Sequence, residues 1–165
     1  MPESRKILVM GLPGSGKTTL ASELVSRLNA VHFNADEVRR NINKDLGFSD
    51  RDRVEQAKRM GWLCDQVVKA GAIVVADFIC PTDECRQAFR DGGEAFIVWL
   101  DRTESCKYED TNQLFSPPTD YDVRVTSVGS AKSWAEKIVN ILRAAGPKNT
   151  DSPDEPAVMT GTAKP

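Results

Sequence analysis

The sequence predicts a three-layer α/β domain, with helices on both faces of a central parallel five-stranded sheet. Three observations lead there. Short apolar runs alternate with helical patterns along the chain, the order that builds a parallel sheet through helical crossovers. The first of those runs opens directly into a glycine-rich loop and then a helix. Finally, 165 residues with 40% hydrophobic content give room for one domain around one sizeable core.

Each element has its own justification. Residues 7–10, Ile-Leu-Val-Met, are apolar without a break, which suits a strand covered on both sides. A helix over 17–28 follows, with Leu20, Leu24, Val25 and Leu28 on one face. Residues 31–34 are the second strand, and a short helix over 37–41 comes next. Ser49-x-x-Asp52 reads as an N-terminal cap. The helix after it has a stripe of Val54, Ala57, Gly61, Cys64 and Val68, ending at Gly71. Residues 72–78 and 95–100 are further buried strands, and 121–126 is a fifth with alternating polarity. Ser130 caps a last helix that carries Trp134, Ile138, Ile141 and Leu142 on one side. From Pro147 the composition turns to Pro, Thr, Asp and Lys, so residues 1–146 form the domain and 147–165 a disordered tail.

Composition narrows the function. A formal net charge of −2 argues against a protein coated with positive charge to hold nucleic acid non-specifically. Cys64, Cys80, Cys85 and Cys106 form no C-x-x-C pair and have only His32 as a possible partner, so no zinc site is expected. There is no leader pattern and no apolar run long enough to span a bilayer. The expected setting is the cytoplasm, with no membrane partner and with free thiols.

The chemistry starts at the loop. Gly11, Gly16, Lys17 and Thr18 fill the fixed positions of G-x-x-x-x-G-K-[ST], between a strand and a helix. In such a loop successive backbone N–H groups and the helix N-terminus face an anion. Gly11, Leu12, Pro13, Gly14, Ser15, Gly16, Lys17, Thr18 and Thr19 would therefore hold ATP. Lys17 supplies charge at the β- and γ-phosphates, and the Thr18 hydroxyl can take a Mg²⁺ coordination position. Asp77 ends the strand over 72–78, where a carboxylate can hold Mg²⁺ through water or cap the turn at Pro81. The single Asn-Lys pair, Asn43-Lys44, lacks the spacing of a GTPase base-recognition motif, and no strand ends in Asp-Glu as in motor ATPases. A compact kinase fits best, with a nucleotide-dependent switch as the reading of another class.

The stretch from Asp36 through Arg39, Asn43, Lys44, Gly47, Phe48, Ser49, Asp52 and Arg53 to Glu55 resembles the acceptor side of adenylylsulfate kinases. Their signature is Asp-x-x-Arg, then Asn-Lys-x-Leu-Gly-Phe-Ser, then Asp-Arg and Glu. Ile79-Cys80-Pro81 falls on that family's Ile-Ser-Pro, and Arg86 on an arginine of the following segment. The resemblance implies a P-loop kinase fold and an alcohol acceptor. It places Lys17, Asp36 and Asp77 in catalysis and Arg39, Phe48, Arg53, Cys80 and Arg86 on the acceptor side. Asp36 would orient or deprotonate the hydroxyl, or else cap the helix at 37–41. Arg39 and Arg53 offer planar forks for a phosphate, or a solvated helix face. Phe48 would stack on a base, or be buried at the sheet.

The chain departs from that family at Gln56 and Asp83, which stand for an Asn and an Arg, and at Cys80. Its lysine-rich lid is also reduced: after Leu100-Asp101 the chain runs from Arg102 to Pro118 and into the last strand. The segment from Asp110 to Thr126 resembles small phage kinases that phosphorylate 5-hydroxymethyluracil in DNA. Residues 39–59 hold seven Lys or Arg against four Asp or Glu, a basic strip that a polyanion would need. The resemblance thus implies, as first choice, an ATP- and Mg²⁺-dependent kinase of 5-hydroxymethyluracil in DNA, acting in the host cytoplasm. Adenylylsulfate is the alternative acceptor.

Overall fold

A computed structural model describes residues 5–102 and 108–145. Five strands pair in parallel: β1 (Lys6–Gly11), β2 (Val31–Asn34), β3 (Val74–Asp77), β4 (Phe96–Leu100) and β5 (Val123–Val125). Their order across the sheet is β2-β3-β1-β4-β5. Six helices connect or follow them: α1 (Lys17–Leu28), α2 (Ala35–Asn41), α3 (Asp50–Lys69), α4 (Asp83–Arg90), α5 (Glu109–Leu114) and α6 (Ala131–Ala144). This is the three-layer parallel architecture expected of the sequence.

The pleat of β1 sorts the core into its two halves. Ile7 and Val9 join a cluster with Leu20 and Leu24 of α1 and Ile138 and Leu142 of α6. Leu8 and Met10 point the other way, into a cluster with Val38 of α2, Met60 and Cys64 of α3, and Phe89 of α4. The chain first builds β2 and β3 on one side of β1, then crosses to place β4 and β5 on the other. Such a reversal leaves a crevice at the carboxyl ends of the central strands, here β1 and β3.

Local chemistry sets the helix boundaries. The side-chain oxygens of Ser49, Thr82 and Ser130 each accept a backbone N–H from the first turn of α3, α4 and α6. Gly71, just past α3, has φ 84°, the left-handed conformation that stops a helix. Several expectations need correction. The strands near 72–78 and 121–126 are shorter than read, and α4 and α5 were not anticipated. Ile141 is 43% exposed rather than part of the buried face of α6, because Val139 takes its place on the core side. Cys64, Cys80 and Cys85 are buried free thiols. Cys106 and the proposed tail over 147–165 lie outside the described residues. Among the described residues no helix is long and apolar enough to cross a membrane.

The packing of α3 on α4 depends on Gly61. A Cβ at that position would press into the backbone carbonyl of Phe89, which cannot swing aside as a side-chain tip can. The same carbonyl accepts a hydrogen bond from the buried Lys6 ammonium, which also pairs with Asp65 of α3 at 2.9 Å. Gly61→Ala is therefore expected to destabilise the fold by about 1–3 kcal/mol from overpacking. It should do so despite the roughly 1 kcal/mol that alanine gains in helix propensity. Urea unfolding measures this, and an unchanged or raised midpoint would refute the close approach.

Candidate functional site

β1 ends at Gly11, where a Cβ would lie 2.7 Å from the carbonyl oxygen of Leu100 on β4, so only glycine lets the loop leave the sheet here. Gly14 and Gly16 have φ values of 80° and 91°, left-handed conformations that glycine adopts without strain. Among the helices of seven or more residues, α1 alone lacks a side-chain cap at its N-terminus. Its cap is Gly16, which has no side chain to offer, and the first turn holds no acidic residue. By contrast α2, α3, α4 and α6 each receive a side-chain cap. The leading N–H groups of α1 thus have no side-chain cap, a setting in which a helix N-terminus can take an anion. Lys17 arches back over the loop, its ammonium donating to the Leu12 carbonyl at 3.0 Å.

Beside this loop the ends of β2 and β3 form a polar cluster around Asp77, which is 2% exposed. Oδ1 of Asp77 accepts from Asn34 Nδ2 at 2.9 Å and from the Thr18 hydroxyl at 3.3 Å. Oδ2 is hydrogen-bonded to Nε2 of His32. The expected pairing of Thr18 with Asp77 at one position is therefore present. These two oxygen donors fit Mg²⁺, which usually takes one or two protein ligands and completes its shell with phosphates and water.

Asn34 serves a second element. Its Oδ1 accepts from the backbone N–H groups of Asp36 and Glu37, both at 3.1 Å, and so caps α2. The cap that Asp36 was expected to share thus belongs to Asn34, and Asp36 sits exposed in the first turn. Through Asn34, whose Nδ2 also lies 3.5 Å from the Thr18 hydroxyl, the loop and Asp36 share one end of the sheet.

Two of the residues expected on the acceptor side, Arg39 and Arg53, gather around a third, Phe48, which is 67% exposed rather than buried. The guanidinium of Arg39 lies 4.6 Å from the Phe48 ring centroid and that of Arg53 5.7 Å. Arg39 Nη1 donates to the Gly47 carbonyl at 2.6 Å, and Arg53 Nε to the Phe48 carbonyl at 2.9 Å. Burial, then the like charge of Arg53, push the Arg39 guanidinium below its ordinary value, against the pull of Asp36 and Asp52. An anion entering between the two forks would relieve that repulsion.

Two expected acceptor residues are not brought here. Cys80 is 1% exposed, in a left-handed conformation with φ 46°, and burial drives its thiol well above the ordinary range. Arg86 is buried. It donates to the carbonyls of Pro81 and Ser116 and pairs with Asp83 at 2.7 Å, so it braces α4 against the chain near Phe115. In both cases the chain turns inward at Pro81 and takes the side chains away from the cleft. Gln56, at a position where the sequence departs from the family signature, is also buried. It accepts from Asn43 at 2.7 Å and donates to the Ala35 carbonyl at 3.3 Å, steadying the start of α2.

Sequence reasoning missed His32, Asn34 and Arg102 as members of the site. The signal for the first two was present: they occupy alternate positions of β2, on one face, beside the strand that ends in Asp77. Arg102, just after β4, reaches within 3.8 Å of where a Gly16 Cβ would stand and donates to the Gly129 carbonyl at 3.4 Å.

The family model described as "Adenylylsulphate kinase" matches residues 3–127. The adenylyl-sulfate kinase of Vibrio cholerae is 34% identical over 151 residues, covering 86% of this chain and 70% of that protein. That of Staphylococcus haemolyticus is 35% identical over 114 residues, 64% of this chain and 57% of that protein. The chain thus spans little more than half the length of that relative, and 26% of the bifunctional enzyme NodQ of Azospirillum brasilense, to which it is 33% identical. Among solved structures, APS kinase from Mycobacterium tuberculosis in complex with AMPPNP and APS superposes with a TM-score of 0.78. The match covers 87% of this chain and 99% of that one at 24% identity, a likeness of fold.

These matches overturn the first-choice acceptor, 5-hydroxymethyluracil in DNA, and favour adenylylsulfate. The structure gives a physical reason why the basic strip misled. Arg59 is held by Asp45 at 2.8 Å and Glu55 at 3.0 Å, and Arg39 and Arg53 are turned onto local carbonyls. Part of the counted charge, that of Arg59, is therefore neutralised within the chain rather than offered to a polyanion.

Proposed function

The chain belongs to the adenylylsulfate kinase family, and we propose that it transfers the γ-phosphoryl group of ATP to the ribose 3′-hydroxyl of adenylylsulfate. The products are ADP and 3′-phosphoadenylylsulfate. The observation that supports this acceptor most directly is Phe48, exposed between two guanidinium groups on the same side of the sheet as Asp36. An aromatic face suits a base, and paired forks suit the phosphate and sulfate of the acceptor.

In this mechanism residues 11–19 bind the triphosphate through backbone N–H groups, with Lys17 balancing charge on the β- and γ-phosphates. Mg²⁺, when bound near Thr18 and Asp77, would neutralise phosphate charge. Asp36 accepts the proton of the acceptor hydroxyl as its oxygen bonds to the γ-phosphorus. The bond from that phosphorus to the β–γ bridging oxygen breaks, and ADP leaves. Arg39, Arg53 and Phe48 orient the acceptor, and α5 borders it through the 3.5 Å contact of Arg53 Nη2 with the Thr111 hydroxyl.

Incubation with γ-labelled ATP and either adenylylsulfate, AMP or no acceptor tests the proposal. Label should pass to adenylylsulfate and not to AMP. ATP binding with slow hydrolysis and no acceptor-dependent label would refute kinase activity and leave a nucleotide switch.

A further inference from the structure

We propose that His32 is a positioning residue that fixes the Asp77 carboxylate for metal–nucleotide binding. The inference rests on the reading that Asp77 serves the metal. A carboxylate as buried as this one needs donors on both oxygens. Oδ1 is served by Asn34 and Thr18, whereas among the described residues His32 is the side chain that meets Oδ2.

The backbone explains how the ring arrives there. β2 is an edge strand, in register with β3 so that Asn34 lies opposite Asp77. His32, two residues earlier, projects from the same face and reaches the far oxygen of the same carboxylate. A carboxylate only accepts, so Nε2 of His32 must carry the proton in this bond. The imidazole and Asn34 thus hold the carboxylate from two sides, which stops it from rotating away from the Thr18 hydroxyl. Removing the Oδ2 donor would free that rotation while leaving the phosphate loop untouched. His32 is the only histidine in the chain, and its ring is 24% exposed, so changing it empties little of the core.

The test uses the full chain and Mn²⁺ as the probe metal. Mn²⁺ binding to the protein–ATP complex is followed by electron paramagnetic resonance, and ATP binding without metal by calorimetry in EDTA. His32→Phe keeps a ring but loses the donor; it should weaken Mn²⁺ binding about tenfold, the usual effect of losing a partner that orients a ligand. Metal-free ATP affinity should stay unchanged, and His32→Gln, which keeps a donor, should recover most of the loss. If His32→Phe does not fold, His32→Ala with and without added imidazole gives the same comparison, with imidazole restoring Mn²⁺ affinity. Wild-type Mn²⁺ affinity in the donor-less variant would overturn the proposal, as would an equal loss of metal-free ATP binding.

Asp77→Asn separates the two layers of the argument. If it leaves Mn²⁺ affinity unchanged, the metal reading of Asp77 fails. If it weakens Mn²⁺ binding and His32→Phe does not, only the role of His32 fails. Neither measurement involves the acceptor, so both stand apart from the adenylylsulfate assay.

Discussion

Lys17→Ala is expected to lower phosphoryl transfer by about 10²–10³-fold or more, the range for deleting one charge-stabilising donor from a preorganised site. The fold should survive. Lys17 is half-buried at the start of α1, and its ammonium donates to the Leu12 carbonyl within its own loop. What disappears is the positive charge beside an N-terminus that no side chain caps, where a triphosphate brings several negative charges together. Steady-state transfer and thermal unfolding should be measured on the same preparation. A collapse of the unfolding midpoint would mean that Lys17 is structural, and retained transfer would move the phosphate site elsewhere.

The second large effect is expected at Asp36. Asp36→Asn removes a proton acceptor without changing shape, so kcat should fall by about 10²–10⁴-fold while the KM for ATP holds. The structure makes this substitution unusually clean. Asn34, not Asp36, caps α2, so the loss to the helix is limited to a charge near its N-terminus, about 0.3–1 kcal/mol. Near-normal turnover would remove Asp36 from the chemistry.

The positions of both residues were legible from the sequence, because the loop motif fixes where Lys17 starts α1 and the end of β2 fixes Asp36 in the first turn of α2. All five strands were legible too, since an apolar run between two helical patterns has few other places to go. The two short helices were not. α4 turns Cys85, Arg86 and Phe89 inward, and the buried arginine breaks the apolar periodicity that would have revealed a helix. α5 has only 6 residues, too few to show a period at all.

Arg86 also explains one failure at the site. Its position along the chain placed it near the acceptor, but nothing in a linear pattern tells that its guanidinium faces two carbonyls inside the fold. The acceptor itself was misjudged for a related reason. A tally of basic residues over 39–59 ignores who neutralises whom, and the ring of contacts from Arg59 to Asp45 and Glu55 appears only in three dimensions.

The side-chain amide of Asn34 has a consequence for how the two halves of the cleft are spaced. An amide is not symmetric. Turned end for end, it would aim N–H groups at the N–H groups of Asp36 and Glu37, and an oxygen at a carboxylate. Both contacts would become repulsive, so the group has a single admissible orientation, like a key cut on both edges. The separation between the phosphate loop and the helix that bears the proposed proton acceptor is accordingly built in as the polypeptide folds, before either reactant arrives.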